Sequence, residues 1–366
     1  MQTSMQSSTY PMTTPKFSNE KRTNFHQELK SRVNNYFADN KKKSTGNSWL
    51  YLKAIMFFIA YVSLYIHLVF FTPGTWWALA ECLLMGGLTA AIGFNVMHDG
   101  SHGSFSNNKF ANKLATFSIN ILGASGIMWH NKHNIIHHTY TNIDGVDDDI
   151  EIKPLLRMCP TQKKRKIHRF QHIYVWFLYT LLLLVWLFVT DYSKYFKKRV
   201  GIVPIKKMSR FDHFAFWAAK IGYAFMMIAL PIYLLGFLPW LTGFLVMAMF
   251  SGFVLSIVFQ LAHTVEHTSF PTPLEESNKI ENEWAIHQIE TTANFATRNK
   301  LISWLVGGLN FQIEHHLFPK VSHVHYPAIS KIIKKTCEEF NVKYIEFRHM
   351  RHAIASHASY LKRMGR

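Results

Sequence analysis

Residues 129–142 read WHNKHNIIHHTYTN, and the fold turns on what this stretch needs around it. It carries His130, His133, His137 and His138. Neutral imidazole is the commonest nitrogen ligand for metals, and a neighbour can fix its second ring nitrogen. On a helix, His133 and His137 form an i,i+4 pair on one face, about 5–6 Å apart at Cβ. His138 is rotated from them by about 100° and is expected to serve a second ion. His130 is expected to be a neighbour and not a ligand.

Three more groups lie along the chain. His98 and His102 bracket HDGSH, another i,i+4 pair. His263 closes QLAH, with His267 four residues on, and His315 and His316 sit in NFQIEHHLFP behind Gln312 and Glu314. Each group by itself is weak evidence, since a histidine at the end of an apolar run is more often an interfacial hydrogen-bonder. Together they offer many imidazoles and few carboxylates, a set that suits iron, copper or zinc and not magnesium or calcium. Eight ligands exceed what one ion needs, and zinc takes only about four. Two ions are expected.

The 366-residue chain is 49% hydrophobic and carries a formal charge of +18. Such a balance fits nucleic acid, anionic lipid or the positive-inside bias of a membrane protein. Long apolar blocks decide for the membrane and against nucleic acid. Spans are expected at about 49–71 and 76–97, a hairpin turning at TPGT, and at 214–238 and 240–262, a hairpin turning at Pro239. A fifth block, 172–190, lies between His137 and His263. If it crossed, those histidines would face opposite sides. The loop after it carries Lys194, Lys197, Lys198, Arg199, Lys206, Lys207 and Arg210, which places that loop in the cytoplasm. The block is therefore expected to enter and leave on one side.

The expected architecture is an all-α integral membrane protein: four transmembrane helices as two hairpins, one embedded segment, and a cytoplasmic cap over 263–366 that carries the metal site. Residues 1–47 are expected to form a cytoplasmic tail ahead of a membrane domain over 48–366. In the tail, the first 20 residues are expected to be disordered, and the periodicity of Phe25, Leu29, Val33 and Phe37 suggests a helix lying on the membrane surface. Residues 114–129 read as an interfacial or embedded helix, 161–169 as a basic loop beside lipid headgroups, and 330–340 as an amphipathic surface helix. No cleavable signal peptide is expected. Cys82, Cys159 and Cys337 are too scattered for a disulfide framework or a cysteine zinc site.

HDGSH, HNIIHH and QIEHH, within WHNKHNIIHHTYTN and GGLNFQIEHHLFP, resemble the three histidine boxes of the membrane fatty acid desaturases, in order, spacing and flanking residues from His98 to about Tyr326. Gln312, where many members have the third box's first histidine, resembles the front-end desaturases, which place a double bond between an existing one and the carboxyl end. The resemblance implies two iron ions, O2 as co-substrate and two electrons from a donor. It implies the ligands His98, His102, His133, His137, His138, His263, His315 and His316, with Gln312 weaker and His267 uncertain. Asp99, Asn134, Asp147, Asp149 and Glu314 are candidates to orient imidazole N–H groups. His168, His172, His287, His349, His352 and His357 are expected to be structural or at the surface, as are His323 and His325, which are also candidates to touch a lipid headgroup.

Front-end members often carry a fused cytochrome b5 domain with a His-Pro-Gly-Gly motif, which this sequence lacks. The resemblance is then to stand-alone bacterial members, in the inner membrane, served by a separate ferredoxin or cytochrome b5-type donor. The substrate implied is a long acyl chain on CoA or on a membrane lipid. Two rivals stand beside this reading: a di-iron lipid hydroxylase on the same scaffold, and a non-enzymatic membrane haem protein with paired axial histidines. The second needs histidines inside the spans, whereas these gather at span exits.

Overall fold

The computed structural model describes residues 13–19 and 23–366. Residues 1–12 of the tail, where disorder is expected, lie outside the described residues. Among the described residues, four helices are long and apolar enough to cross a membrane: Ser48–Phe71, Thr75–His102, Arg210–Leu235 and Phe237–His263. In chain order we label the helices α1 (Phe25–Asp39), α2 (Ser48–Phe71), α3 (Thr75–His102), α4 (Lys109–Ile121), α5 (residues 126–140), α6 (Lys166–Thr180), α7 (Leu182–Lys197), α8 (Arg210–Leu235) and α9 (Phe237–His263). The remaining helices are α10 (Trp284–Glu290), α11 (Lys300–Leu305), α12 (Gln312–Leu317), α13 (Tyr326–Glu339) and α14 (Met350–Gly365).

Local chemistry sets the helix ends. The Asn47 side chain accepts from the Leu50 N–H and starts α2, which stops at Thr72 in a left-handed conformation before Pro73. Ser209 and Asp212 form a capping box at the head of α8. The turn between α8 and α9 falls at Gly236 (φ 86°), not at Pro239, which sits in the first turn of α9. Proline is tolerated there because a first-turn N–H has no helical partner. α3 runs through Met97 without a stop, so His98 and His102 ride on the span itself.

α3 and α9 form the centre of the bundle, with Ile92, Phe94, Val258 and Leu261 in its buried core. The outer helices α2 and α8 expose Trp49, Ile59, Ile221 and Phe225, as lipid-facing helices do. The block expected at 172–190 is two helices, α6 and α7, bent by 61° at Leu181. Its bend packs against Gly252 of α9, where any Cβ would stand 2.6 Å from the Thr180 carbonyl oxygen. The segment expected over 114–129 is α4 and the start of α5, broken at Gly123. α4 exposes Phe110, Leu114, Phe117 and Ile121 along one stripe.

Among the described residues, sheet is confined to two-stranded pairs: Lys16–Phe17 parallel to Lys279–Ile280, Arg199–Val200 antiparallel to Val203–Pro204, and Ala293–Phe295 parallel to Ile345–Phe347. The first shows that part of the expected disordered tail, residues 16–17, is a strand. α1 also departs from expectation. Phe25, Leu29 and Val33 are buried, in one core with Ile286, Ile329 and Ile333, so this helix docks on the C-terminal region and spends its apolar face there. Phe25→Ala is expected to destabilise that region by about 3–5 kcal/mol. Thermal unfolding of the solubilised chain checks it: an unchanged midpoint would mean that α1 is not docked.

Candidate metal centre

Four stretches of chain deliver the histidines to one place. α3 brings His98 and His102, α5 brings His133, His137 and His138, α9 ends on His263, and α12 carries His315 and His316. Seven of the eight are buried, and His102 is half-buried. His98, His102, His133 and His315 can direct one ring nitrogen each into a common space, and so can His137, His263 and His316. His138 lies between the groups, its ring centroid 4.7 Å from His102, 4.4 Å from His315 and 4.6 Å from His316.

Residues 130–137 are wound as a π-helix, which alters the pairing expected from α-helical spacing. A π-helix closes i→i+5 hydrogen bonds and is wider than an α-helix, so the angular spacing of His133, His137 and His138 departs from the α-helical one. The Nε2 atoms of His133 and His138 are 3.2 Å apart. His133 and His137, expected on one face, fall into the two separate histidine groups, and a third arrangement joins them with Asp149.

The donor set fits a metal. The Nε2 of His98 is 3.1 Å from the Nε2 of both His133 and His315. Two nitrogens bound to one ion at about 2.1 Å and 90–109° stand about 3.0–3.4 Å apart. The Nε2 atoms of His102, His263 and His316 are buried and lack any hydrogen-bond partner, a costly state for polar atoms with nothing to bind.

Hydrogen bonds on the opposite ring nitrogens fix several tautomers. His263 Nδ1–H donates to the Thr291 carbonyl (3.2 Å), His316 Nδ1–H to Gln288 Oε1 (2.8 Å) and His137 Nδ1–H to Asp147 (3.1 Å). His315 Nδ1 meets the Tyr326 hydroxyl at 3.2 Å. The carbonyl, amide-oxygen and carboxylate contacts put the proton of His263, His316 and His137 on Nδ1 and leave the Nε2 lone pair facing inward, whereas the Tyr326 hydroxyl can donate or accept. Burial, reinforced by the neighbouring imidazoles, holds His133, His138, His315 and His316 well below the ordinary imidazole pKa, so they are neutral imidazoles at neutral pH. His137 differs: burial works against its charge, but Asp147 and Asp149 raise it. Burial would raise Asp149, yet Lys132 at 2.6 Å and His137 hold its carboxyl well below the usual range.

Of the residues expected to orient imidazoles, Asp147 and Asp149 both reach His137, at 3.1 Å each. Asp99 lies 3.9 Å from His98 Nδ1 but makes its short contacts to His323 Nδ1 (2.9 Å) and Ser322 Oγ (2.8 Å). His323 is therefore committed to tying the chain after α12 to α3 and is not a free headgroup contact. Asn134 donates to the Ser101 carbonyl, joining α5 to α3. Glu314 points away from the rings, accepting from Asn294 and Tyr344 (2.7 Å each) and anchoring α12 from behind. Gln312 is buried with its Nε2 unpartnered. His267 is exposed at φ 79° and stands outside the histidine groups. His130, His349 and His352 are exposed, and His168 and His357 are buried on structural partners, all as expected.

Gln288, Thr291 and Tyr326 were not expected at the site. Gln288 and Thr291 fall in a polar stretch, and nothing in their spacing announces a role. Asn142, at φ 60°, closes the opening stretch: its amide donates to the carbonyls of His263, Ser269 and Thr291. An asparagine tolerates that left-handed backbone better than most residues.

Directly beside His98 lies a narrow apolar cavity of about 30 Å³, lined by Gly93, Met97, Trp129, Trp186 and Phe259 among others. A larger cavity of about 400 Å³ lies further along α3 and α9, past Met85 and Met247. Histidine groups able to hold metal, set against apolar cavities among membrane-length helices, define the class: a metalloenzyme acting on an apolar chain. The fatty acid desaturase family matches residues 74–348. The chain is 36% identical to the sn-1 linoleoyl-lipid 6-desaturase of Arthrospira platensis, over 96% of this chain and 95% of that protein. It is 37% identical to the protein of the same name from Synechocystis sp., over 93% and 96%, and 35% identical to the acyl-lipid (8-3)-desaturase of Physcomitrium patens, over 96% and 74%. The chain belongs to the fatty acid desaturase family. It is an oxidoreductase that introduces a double bond into a fatty acyl chain, in a family that depends on iron.

Proposed function

We propose that this enzyme is a front-end desaturase of acyl chains esterified to membrane lipids. The observation that carries the reading is the position of the histidine groups, inward-facing and largely buried, against an apolar cavity that begins at His98. Two iron ions are assigned to the eight histidines, one to the group of His98, His102, His133 and His315 and one to the group of His137, His263 and His316, with His138 between them. Gln312 is assigned a weaker role through its amide. Bound there, iron would supply the two-electron activation of O2 that removes two hydrogens from neighbouring methylenes.

The chain's own part is positioning. Asp147, Gln288 and the Thr291 carbonyl hold three rings by their Nδ1 protons. Trp129, Trp186 and Phe259 keep water from the cavity beside His98. The lining of both cavities follows one side of α3, through Ala78, Cys82, Met85, Thr89, Gly93 and Met97. That is about 30 Å of helix, enough to hold the methyl-terminal part of a long acyl chain. Relatives named as acyl-lipid and linoleoyl-lipid desaturases support a lipid-bound, already unsaturated substrate.

The topology assigned is multi-pass, with 1–47 and the cap from 263 onward in the cytoplasm of a bacterial inner membrane. Support comes from the proximity of His137 and His263, whose rings are 4.7 Å apart, and from the 61° bend between α6 and α7. An even number of crossings must separate the two histidines. A re-entrant α6–α7 and a crossing pair α8–α9 provide it. Electrons come from a separate ferredoxin or cytochrome b5-type carrier.

Expression of the full chain in a host supplied with defined unsaturated fatty acids tests the function. A new cis double bond on the carboxyl side of an existing one, in lipid-bound chains, is expected. A hydroxylated chain as the main product would establish the hydroxylase instead.

A further inference from the structure

A lysine buried in a membrane span is costly without partners and marks a site whose role can be sought. Lys220 of α8 is 6% exposed and its ammonium is fully occupied. It donates to Asp191 Oδ2 (2.8 Å), the Gly123 carbonyl (2.7 Å) and the Leu187 carbonyl (3.3 Å). Asp191, 1% exposed, accepts from the Ser125 N–H (2.8 Å) and from the Trp186 indole N–H (3.1 Å). One ion pair thus joins three segments: the 122–125 link between α4 and α5, α7, and α8.

Two of those segments form the wall of the cavity beside His98. Leu122, Ala124 and Trp186 line it directly. The Trp186 ring stacks on Trp129 (5.3 Å, 25°), and Trp129 stacks on His133 (4.5 Å, 21°). At Gly123 the backbone is left-handed (φ 90°), and a Cβ there would stand 2.7 Å from the Tyr223 ring. The link is pressed against α8 and held by its own carbonyl. Backbone bonds such as Ala124 N–H to the Ile119 carbonyl tie the link to α4, but the ion pair is what ties it across to α7 and α8, where the cavity lining is largely apolar and dispersion contacts are not directional.

We infer that the Lys220–Asp191 pair is a clamp that fixes this wall and so selects which methylene of the acyl chain faces the metal centre. The inference rests on the acyl-lipid reading of the cavity. Lys220 and Asp191 are positioning residues: neither lines the cavity, and both act through Leu122, Ala124 and Trp186. Neighbouring methylenes are chemically alike, so geometry decides between them. A shift of about 1 Å in the wall is a large fraction of the distance from one carbon to the next.

The test uses the full chain in host membranes with a defined fatty acid, reading double-bond positions in the products and the amount of inserted protein. Lys220→Met and Asp191→Asn are each expected to raise the fraction of misplaced double bonds roughly tenfold over the parent, given the sensitivity of reaction to ångström-scale misplacement. The double variant Lys220→Met/Asp191→Asn leaves no unpaired buried charge, so it inserts even where a single variant does not. Its shift is expected to match that of a single variant and not to compound it, as for residues acting through one contact. Parent-like positional ratios in the inserted double variant overturn the clamp, whatever the total yield. New double bonds found only in chains on a carrier other than membrane lipid would instead refute the acyl-lipid reading on which the clamp rests.

Discussion

Replacing His316 with alanine is expected to end desaturation, with a fall of roughly three orders of magnitude or more, as when one member of a catalytic unit is removed. His316 is 0% exposed, and its Nε2 is an unpartnered buried atom shared in space with His137 and His263. That group offers only three protein nitrogens, so losing one is expected to empty that site. The other group, His98, His102, His133 and His315, keeps its nitrogens. The purified variant should therefore retain about half of the parent's iron. Full iron content with no activity would place His316 in another role, and full activity would remove it from the proposed ligands.

Asp147→Ala is expected to lower iron affinity and activity by about 10–100-fold, the usual cost of losing a residue that orients a ligand. The Asp147 carboxylate is buried and accepts from His137 Nδ1, the Asn142 N–H (2.9 Å) and the Asp149 N–H (3.1 Å). Without it, His137 loses the acceptor that keeps its proton on Nδ1. Asp149 remains 3.1 Å from the same nitrogen, which is why the loss is partial. Added iron should recover part of the activity of Asp147→Ala and none of that of His316→Ala. Equal recovery in both would show that the two residues do the same job.

Much of this architecture is legible in the sequence, because the features that announce it are local. Apolar runs of membrane length mark α2, α3, α8 and α9 within a few residues, and three histidine boxes mark the residues that meet. What escapes depends on contacts between distant segments. The turn at Gly236 in place of Pro239 follows from the backbone freedom of glycine and the tolerance of a helix start for proline. The π-winding of 130–137 cannot be read from spacing, and with it the His138 Nε2 comes within 3.2 Å of the His133 Nε2. Gln288, Thr291 and Tyr326 look ordinary because their histidines come from other elements. The face of α1 was visible as Phe25, Leu29 and Val33, but its partner, a protein core and not a bilayer, lies some 250 residues further along the chain at Ile286 and beyond.

The account stands on the claim that eight histidines from four segments hold two iron ions. The iron-to-protein ratio of the purified full chain tests this most directly, together with the spectroscopic signature of the bound metal. The account predicts two irons per chain, in sites rich in nitrogen. A single iron, or zinc bound in an active preparation, would contradict it.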